Sequence, residues 1–291
     1  MFFYDDNVPA LASENRIALV LLNNEFSPRR HCYTLPQVPQ QDKSNNLSLH
    51  RLLKRLWKVS DQRCSLSLAR QGRSTLQCLH FRGPVTLWWR VYRGRICADG
   101  GANRLHDISP DMSPDIIAGD LDSIHPHVRE DYEAAGSVVL QDKDENRHDL
   151  DKALDVVLSK DESPADVTVL VLGAFGGRFD HEVAALQVLY RHSATFGRLL
   201  LVGNETLAEL LLPGEHEIVP NKDVEHGGHC GLLPIGVPVA SITTTGLRWN
   251  LSAHSLSFGE RGLVSSSNII DDNVIRVHTS DPVVWTTEHW F

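Results

Sequence analysis

The sequence predicts an α/β fold in which a parallel-sheet domain is followed by a small all-β sandwich domain. Between residues 94 and 203, short apolar runs typical of buried parallel strands alternate with helical patterns. After Leu212, short β-rich segments separated by Gly, Pro and Asn turns follow one another without a helical pattern. We therefore expect an α/β domain at residues 1–212 and a β-sandwich domain at residues 213–291.

The elements of the first domain alternate regularly. An apolar run over Arg16–Leu22 predicts the first strand, and later runs predict strands that end at Asp99, at Gly119 and near Asp142. The segment from Asp149 predicts an amphipathic helix, because apolar residues recur there at helical spacing: Leu150, Ala153, Leu154, Val157 and Leu158. Further helices are predicted at 125–135 and 179–192, and further strands at 166–172 and 197–204.

The second domain is predicted to consist of about six antiparallel strands, because short β-rich segments are separated by turn residues. These segments cover residues 216–220, 231–236, 239–252, 263–270, 273–279 and 282–287.

The net charge of −9 argues against a general binder of nucleic acids or anionic membranes, since such proteins need a positive field. The charge is unevenly distributed. Residues 29–93 contain thirteen Lys/Arg and two Asp, a net charge of +11, which leaves fifteen basic and thirty-five acidic residues elsewhere. We interpret the chain as an acidic protein of charge −20 that is interrupted by a basic stretch.

The cysteines and the apolar runs indicate a cytoplasmic protein. An odd number of cysteines without short paired spacing fits neither a disulfide scaffold nor a zinc site: Cys32, Cys64, Cys78, Cys97 and Cys230. No apolar run reaches the about 18–20 residues that a membrane span needs. The segment from Met1 to Ala10 contains two aspartates and lacks the pattern of a signal peptide. We expect no membrane and no nucleic acid among the partners.

Four aspartates are predicted to meet at one edge of the parallel sheet. Asp99, Asp120 and Asp122 follow two successive strands, and Asp149 begins a helix that opens toward the same edge. Carboxylates brought together in this way repel one another unless a cation lies among them, and hard oxygen ligands suit Mg²⁺. The pattern favours metal-assisted transfer at a phosphate. The alternative is that each aspartate only caps a helix or stabilises a turn.

Glycines and two cations support a phosphate site at this edge. Gly100 and Gly101 follow Asp99, and a second glycine-rich turn, 173–177, follows the predicted strand at 166–172. Glycine permits a close backbone approach to a phosphate, although neither turn is a P-loop. Arg178 and Lys152 are positioned to bind phosphate oxygens, and the alternative for both is an exposed surface charge.

Taken together, these segments resemble the thiamine pyrophosphokinase family. The matching segments occur in the family's order and cover about 220 residues, which is nearly everything outside the basic stretch. They are Cys97–Leu105, Gly119–Ser123, Asp149–Leu154, Gly173–Asp180, Gly231–Gly236, Thr243–Leu251 and Val264–Asn268.

The resemblance implies an activity and a set of site residues. It implies a homodimer, with sites near the subunit interface, that transfers pyrophosphate from ATP to thiamine and gives thiamine diphosphate and AMP. The implied Mg²⁺ ligands are Asp99, Asp120, Asp122 and Asp149. The implied nucleotide contacts are Asp99, Gly100, Gly101, Asn103, Lys152, Gly177 and Arg178. The implied catalytic residues are Asp122, Arg178 and Asp180, and the implied thiamine contacts are Trp249, Ser265, Ser267 and Asn268.

Two departures from the family pattern stand out. The family often has D-x-D-x-T-D before and at Asp149, whereas this chain has Asn146 and His148 at two of those places, so the affinity for the metal or the choice of nucleotide could differ. The segment between the first two core strands is also about 70 residues long, where the family uses about 20–25. Residues 58–89 have no family counterpart. We interpret them as translated non-coding sequence, with an added loop that binds an anionic partner as the rival hypothesis.

Two other functions remain to be weighed. A metal-dependent nucleotide-sugar transferase would use Asp120 and Asp122 as a D-x-D site. A non-enzymatic binding module would act through the basic stretch at residues 29–93.

Overall fold

The computed structural model describes residues 17–22, 75–77, 94–203, 206–220 and 228–288. In its amino-terminal part, strands alternate with helices as expected. The strands are β1 (Ile17–Leu21), β2 (Thr75–Gln77), β3 (Arg95–Ala98), β4 (Ile116–Gly119), β5 (Val138–Gln141), β6 (Thr168–Leu172) and β7 (Arg198–Val202). The helices are α1 (Gly101–Ile108), α2 (Pro126–Ala134), α3 (Asp149–Lys160) and α4 (Phe179–His192), with a short 3₁₀ helix at Pro164–Asp166.

The carboxy-terminal part consists of strands, and no helix occurs in its described residues. The strands are β8 (Thr206–Leu211), β9 (Gly214–Val219), β10 (His229–Leu233), β11 (Val239–Thr245), β12 (His254–Leu256), β13 (Ser265–Ile269), β14 (Ile275–Thr279) and β15 (Val283–Glu288). The predicted fold class, a parallel-sheet domain followed by a β-sandwich, is therefore confirmed.

The strands form two sheets. The larger has the order β13-β10-β15-β8-β7-β6-β1-β3-β4-β5, and the smaller has the order β12-β11-β14-β9-β2. The six strands from β7 to β5 are parallel, whereas β8, β15, β10 and β13 extend the same sheet with antiparallel pairings. The predicted boundary at 212/213 lies between β8 and β9. It stays a prediction, because one continuous sheet contains strands from both sides of it.

Three apolar clusters hold these layers together. Helices α3 and α4 cover one face of the parallel strands, with Leu154 and Leu189 fully buried, and α1 and α2 cover the other, with Leu105 and Tyr132 buried. The third cluster lies between the antiparallel strands of the larger sheet and the smaller sheet. Because helices cover both faces of the parallel strands, ligands can reach that part of the sheet only at its edges.

Besides the short 3₁₀ helix, four described elements were not expected from the sequence: helix α1 and strands β2, β8 and β12. Strand β8 is largely apolar, but it lies just before the predicted boundary at 212/213 and was not recognised as a strand of its own. Helix α1 was missed because Ala102 and Leu105 are its only buried apolar side chains, and polar residues surround them. Of the basic stretch at 29–93, the backbone of β2 is described, and it pairs in parallel with β9. Cys32, Cys64 and Cys78 lie outside the described residues.

None of the described helices is both long and apolar enough to cross a membrane.

Candidate active site

The ends of β3 and β4 and the start of α3 bring three carboxylates together. Asp99 follows β3 directly, Asp120 follows β4 directly, and Asp149 is the first residue of α3. One oxygen from each carboxylate lies within 4.8 Å of the oxygens of the other two. These three residues, which we call the aspartate triad, offer only hard oxygen ligands, the kind that Mg²⁺ prefers. The donor set of the triad therefore fits this cation.

Asp99 is the most buried member of the triad, with 1% of its surface exposed. Its two oxygens accept hydrogen bonds from the backbone N–H groups of Ser123 (3.0 Å) and Ile124 (3.1 Å). The pKa of the Asp99 carboxyl is raised to about 6, mainly by burial and also by the charges of Asp149 and Asp120, which together outweigh the opposing effect of those two hydrogen bonds. A bound cation would relieve this repulsion.

The buried Lys152 lies beside the other two members of the triad. Its Nζ is 3.3 Å from Oδ1 of Asp149 and 3.8 Å from Oδ2 of Asp120, and only 3% of the residue is exposed. Burial raises the pKa of the Asp149 carboxyl, with a further increase from the charge of Asp120. The alternative interpretation of Lys152 as an exposed surface charge is therefore wrong.

Asp122, the fourth expected metal ligand, is not part of the triad. It is exposed on the loop after β4, where its N–H donates to Oδ1 of Asp120 (3.2 Å) and its carboxylate accepts a hydrogen bond from the Ser123 hydroxyl (2.7 Å). The role expected for Asp122 stays a prediction.

Asn103 holds the loop that carries these aspartates. It is buried on α1, where its Nδ2 donates to the carbonyl of Ser123 (2.9 Å) and its Oδ1 accepts the N–H of His125 (2.9 Å). Together with Asp99, it fixes the backbone of residues 123–125. The sequence suggested a nucleotide contact for Asn103, and these hydrogen bonds give it a positioning task as well.

The glycines at this edge allow close backbone packing. A Cβ on Gly101 would lie 2.2 Å from the carbonyl oxygen of Leu21, and one on Gly119 would lie 2.7 Å from Cβ of Asp99. Gly100, the N-cap of α1, has a negative φ of −57°.

Of the four described non-glycine residues with positive φ, three lie in expected site segments: Asp99, Leu121 and Ser267. Such backbone conformations concentrate at functional sites.

The second glycine-rich turn leads into α4 at Arg178. Gly173 and Gly176 have positive φ angles of 77° and 106°. Arg178 binds Asp180 through two hydrogen bonds of 3.1 and 2.5 Å, and both side chains are largely exposed. Gly177 lies in the same exposed turn. The structure therefore shows these residues as a solvent-facing group with no described contact to the triad, and their expected roles stay predictions.

The expected thiamine contacts lie on the second domain. Trp249 is 57% exposed, and the buried side chain of Asn268 binds its backbone twice, by accepting its N–H (3.1 Å) and donating to its carbonyl (2.8 Å). Ser265 and Ser267 lie on β13 with Asn268. Ser265 is buried and Ser267 is exposed, although residues two apart share one face of a regular strand. The strand is irregular here, since Ser267 has a positive φ of 55° and the register with β10 shifts. The ring of Trp249 is thus exposed, while Asn268 holds the backbone of this residue in place.

The two unusual residues before Asp149 lie outside the triad. The backbone N–H and the amide of Asn146 both donate to Oδ1 of Asp144, and His148 is the N-cap of α3 without a side-chain capping bond. Their effect on metal affinity or nucleotide choice stays a prediction. The sequence interpretation missed a group on α3 and α4 in which the buried Asp151 binds the buried His192 and the half-exposed Arg191. No local pattern indicated it, because the partners lie forty residues apart.

Comparison with known proteins places the chain in one family. The family model "Thiamin pyrophosphokinase, catalytic domain" matches residues 85–200, and "Thiamin pyrophosphokinase, vitamin B1 binding domain" matches residues 215–284. Thiamine pyrophosphokinase 1 of Oryza sativa subsp. japonica is 40% identical over 218 residues, which are 69% of this chain and 80% of that protein. Thiamine pyrophosphokinase 2 of Arabidopsis thaliana is 38% identical over 217 residues, with shares of 69% and 79%.

Solved structures show the same fold. Thiamin pyrophosphokinase from Candida albicans matches with a TM-score of 0.65 at 24% identity, over 78% of this chain and 97% of that one. The yeast enzyme matches with a TM-score of 0.63 at 24% identity, over 77% and 88%. The chain therefore belongs to the thiamin pyrophosphokinase family, whose enzymes transfer pyrophosphate from ATP to thiamine and give thiamine diphosphate and AMP.

Proposed function

We propose that the aspartate triad holds Mg²⁺ together with the phosphates of ATP, and that the transfer to thiamine takes place at this edge of the sheet. The observation that carries the proposal is the approach of three carboxylate oxygens to within 4.8 Å of one another beside a buried lysine. Such a group is costly without a cation, because each charge raises the pKa of its neighbours. Bound Mg²⁺ would neutralise charge on the phosphate oxygens and orient them.

The residues around the triad would then bind the rest of the triphosphate. Lys152 supplies a fixed positive charge beside Asp120 and Asp149, within reach of phosphate oxygens bound at the same place. The backbone at Gly100 and Gly101 leaves room for a close approach. Arg178 is exposed and would turn from Asp180 to the transferred group when the nucleotide binds.

The transfer would proceed as a direct displacement. The hydroxyl oxygen of thiamine bonds to the β-phosphorus of ATP. The bond between that phosphorus and the oxygen that bridges it to the α-phosphorus breaks, and AMP leaves with this oxygen. The hydroxyl proton passes to a carboxylate of the enzyme. Two candidates for this carboxylate follow from the sequence, Asp122 and Asp180. Both stay candidates, because Asp180 would be freed from its ion pair once Arg178 turns to the phosphate.

The thiamine would lie against the exposed ring of Trp249. A cationic thiazolium is attracted to the face of an indole, and Asn268 holds this ring in place by its two hydrogen bonds to the Trp249 backbone. Ser265 and Ser267, on the same strand as Asn268, would contribute hydroxyl groups to the pocket.

We also propose that the protein is a cytoplasmic homodimer. Exposed aromatic residues on both domains support a second copy as the partner, with Phe179 77% exposed and Phe258 66% exposed. The unpaired, buried thiols of Cys97 and Cys230 support a reducing compartment.

Production of AMP from ATP tests the proposal. The chain should form AMP only when thiamine and Mg²⁺ are both present. The Asp120→Asn variant should lose at least about 100-fold in kcat, since it removes one charge from the triad. Asp122→Ala should also abolish AMP formation while the circular dichroism spectrum of the fold is unchanged.

Glu133→Gln is the matched control for loss of an acidic side chain in the same domain. Glu133 is an exposed partner of Arg129 on α2, so its variant should keep the activity of the unaltered chain. Near-normal turnover in Asp120→Asn would show that the triad does not hold the catalytic cation. Near-normal turnover in Asp122→Ala would remove that residue from the mechanism.

A further inference from the structure

A buried carboxylate lies two residues after Asp149, in the same turn of α3. Asp151, in the first turn of α3, is 1% exposed. Its Oδ2 accepts a hydrogen bond from Nη1 of Arg191 at 2.5 Å, and its Oδ1 lies 3.1 Å from Nε2 of His192. Both partners belong to the last turn of α4. An aspartate is rarely buried to this extent without partners, and here each oxygen has one.

Helix geometry places Asp151 on the opposite side of α3 from Asp149. Two residues correspond to about 200° around a helix, so the two carboxylates leave the first turn in nearly opposite directions. Between them in sequence, Leu150 is buried in the apolar cluster under α3, and Lys152 follows with its Nζ beside the triad. In this turn, Asp149 and Lys152 therefore lie at the metal site, Leu150 packs in the core, and Asp151 binds α4.

A general helix effect does not account for Asp151. Acidic residues in a first turn stabilise a helix through its dipole, but they do so while exposed to solvent. Burying a carboxylate between two helices costs desolvation energy, which only well-placed partners offset. The result is a rigid link between the start of α3 and the end of α4. A rigid link matters here, because metal ligands must be held to within about 0.5 Å.

We propose that Asp151 is a positioning residue of the metal site: by binding Arg191 and His192, it fixes the rotation of the first turn of α3 and thereby the places of Asp149 and Lys152. This inference rests on the proposed function, in which the triad binds the cation. Asp151 itself points away from the triad and touches no substrate. Its effect is carried by the helix backbone.

Binding of Mn²⁺ tests the inference without relying on catalysis. Mn²⁺ takes the same oxygen ligands as Mg²⁺, and the concentration of free Mn²⁺ can be measured by electron paramagnetic resonance. The Asp151→Asn variant, which keeps the shape of the side chain, should bind Mn²⁺ about tenfold more weakly than the unaltered chain, as expected for loss of a supporting residue. The AMP assay should show the same shift in the Mg²⁺ concentration for half-maximal rate, with kcat preserved at saturating Mg²⁺.

Glu209→Gln is the matched control for loss of a buried acid. Glu209 is 7% exposed and binds Arg198 with two hydrogen bonds of 2.9 and 2.5 Å, between β7 and β8. Its variant should lose stability but keep the Mn²⁺ affinity. If Asp151→Asn does not fold, Arg191→Gln and His192→Gln remove the partners singly, and their combination should reproduce the weakened binding.

The outcomes separate the inference from the function on which it rests. Equal Mn²⁺ affinity in Asp151→Asn and the unaltered chain, with Asp149→Asn impaired, would overturn the role of Asp151 and leave the metal site standing. The same would follow if Glu209→Gln weakened Mn²⁺ binding as much as Asp151→Asn does. No Mn²⁺ binding by the unaltered chain would overturn the proposed metal site and the inference with it.

Discussion

At the scale of single residues, two buried asparagines, one in each domain, hold a backbone segment in place. Asn103 binds the carbonyl of Ser123 and the N–H of His125, which fixes the loop after Asp120. Asn268 binds the N–H and the carbonyl of Trp249. In each case one amide side chain satisfies two backbone groups beside a proposed binding surface. Each asparagine should therefore serve a different substrate.

We expect the two alanine variants to have opposite effects on the two substrates. Asn103→Ala should raise KM for ATP about tenfold and leave KM for thiamine unchanged, and Asn268→Ala should do the reverse. The expected size follows from about 1–3 kcal/mol for a buried hydrogen-bonding group left without its partner. Steady-state kinetics with each substrate varied at saturation of the other provide the measurement.

Each variant is the control for the other, because both lose a buried amide of equal size. If both variants raise both KM values equally, the asparagines support general stability and not separate binding surfaces. Thermal unfolding curves recorded in parallel show whether the two losses of stability are comparable.

At the scale of elements, helix α1 lies unusually close to strand β1. Gly101 is the first residue of α1, and a Cβ there would meet the carbonyl oxygen of Leu21 at 2.2 Å. The same turn carries Asp99 two residues earlier, so the packing of α1 on the strand end also sets the position of the triad. Gly101 is therefore required for packing, in addition to any approach of a phosphate.

We expect Gly101→Ala to lower the free energy of unfolding by about 3 kcal/mol, since the added methyl group meets backbone that cannot move aside. Gly136→Ala is the comparison. Nothing lies within 4 Å of a Cβ at Gly136, but its φ of +93° disfavours a side chain, so a smaller loss of about 1 kcal/mol should follow. Urea unfolding of both variants measures the difference. Equal losses would show that backbone conformation, and not the contact with Leu21, determines the effect.

At the scale of the whole molecule, the basic stretch adds to a complete fold. The site residues expected from the sequence, and those found from the structure, all lie outside residues 58–89. The described piece of that segment is β2, whose backbone adds a three-residue parallel strand to β9 at the edge of the smaller sheet. The remainder of the segment, and with it the suggested role in binding an anionic partner, lies outside the described residues.

A chain that lacks residues 58–89 should therefore keep its kcat and both KM values. Its free energy of unfolding should fall modestly through loss of β2, and light scattering should give the same dimeric mass as the full chain, since loop length affects closure only weakly. Loss of AMP formation in a folded deletion variant would show that the segment contributes to the site. Transcripts that always contain the segment would contradict its interpretation as translated non-coding sequence.

The sequence alone determined most of the elements, their order and the family, but not α1, β2, β8 or β12. Buried parallel strands are apolar throughout, and the amphipathic pattern of α3 is visible in five residues, so these elements follow from local periodicity. Three of the four expected aspartates do meet, because the topology of a parallel sheet places successive strand ends on one edge. Asp122 could not be separated from them by position, since it follows Asp120 by two residues on the same loop, and only the structure leaves it exposed and outside the triad.

Only the tertiary structure decided which polar side chains are buried and what they bind. Lys152 and Asp151 are neighbours in sequence and could equally have been exposed, but packing of α3 against the sheet and α4 directs one to the triad and the other to Arg191 and His192. Partners separated by forty residues leave no local pattern. Local sequence determines what a segment becomes, and the burial of a charge depends on which distant segment is packed against it.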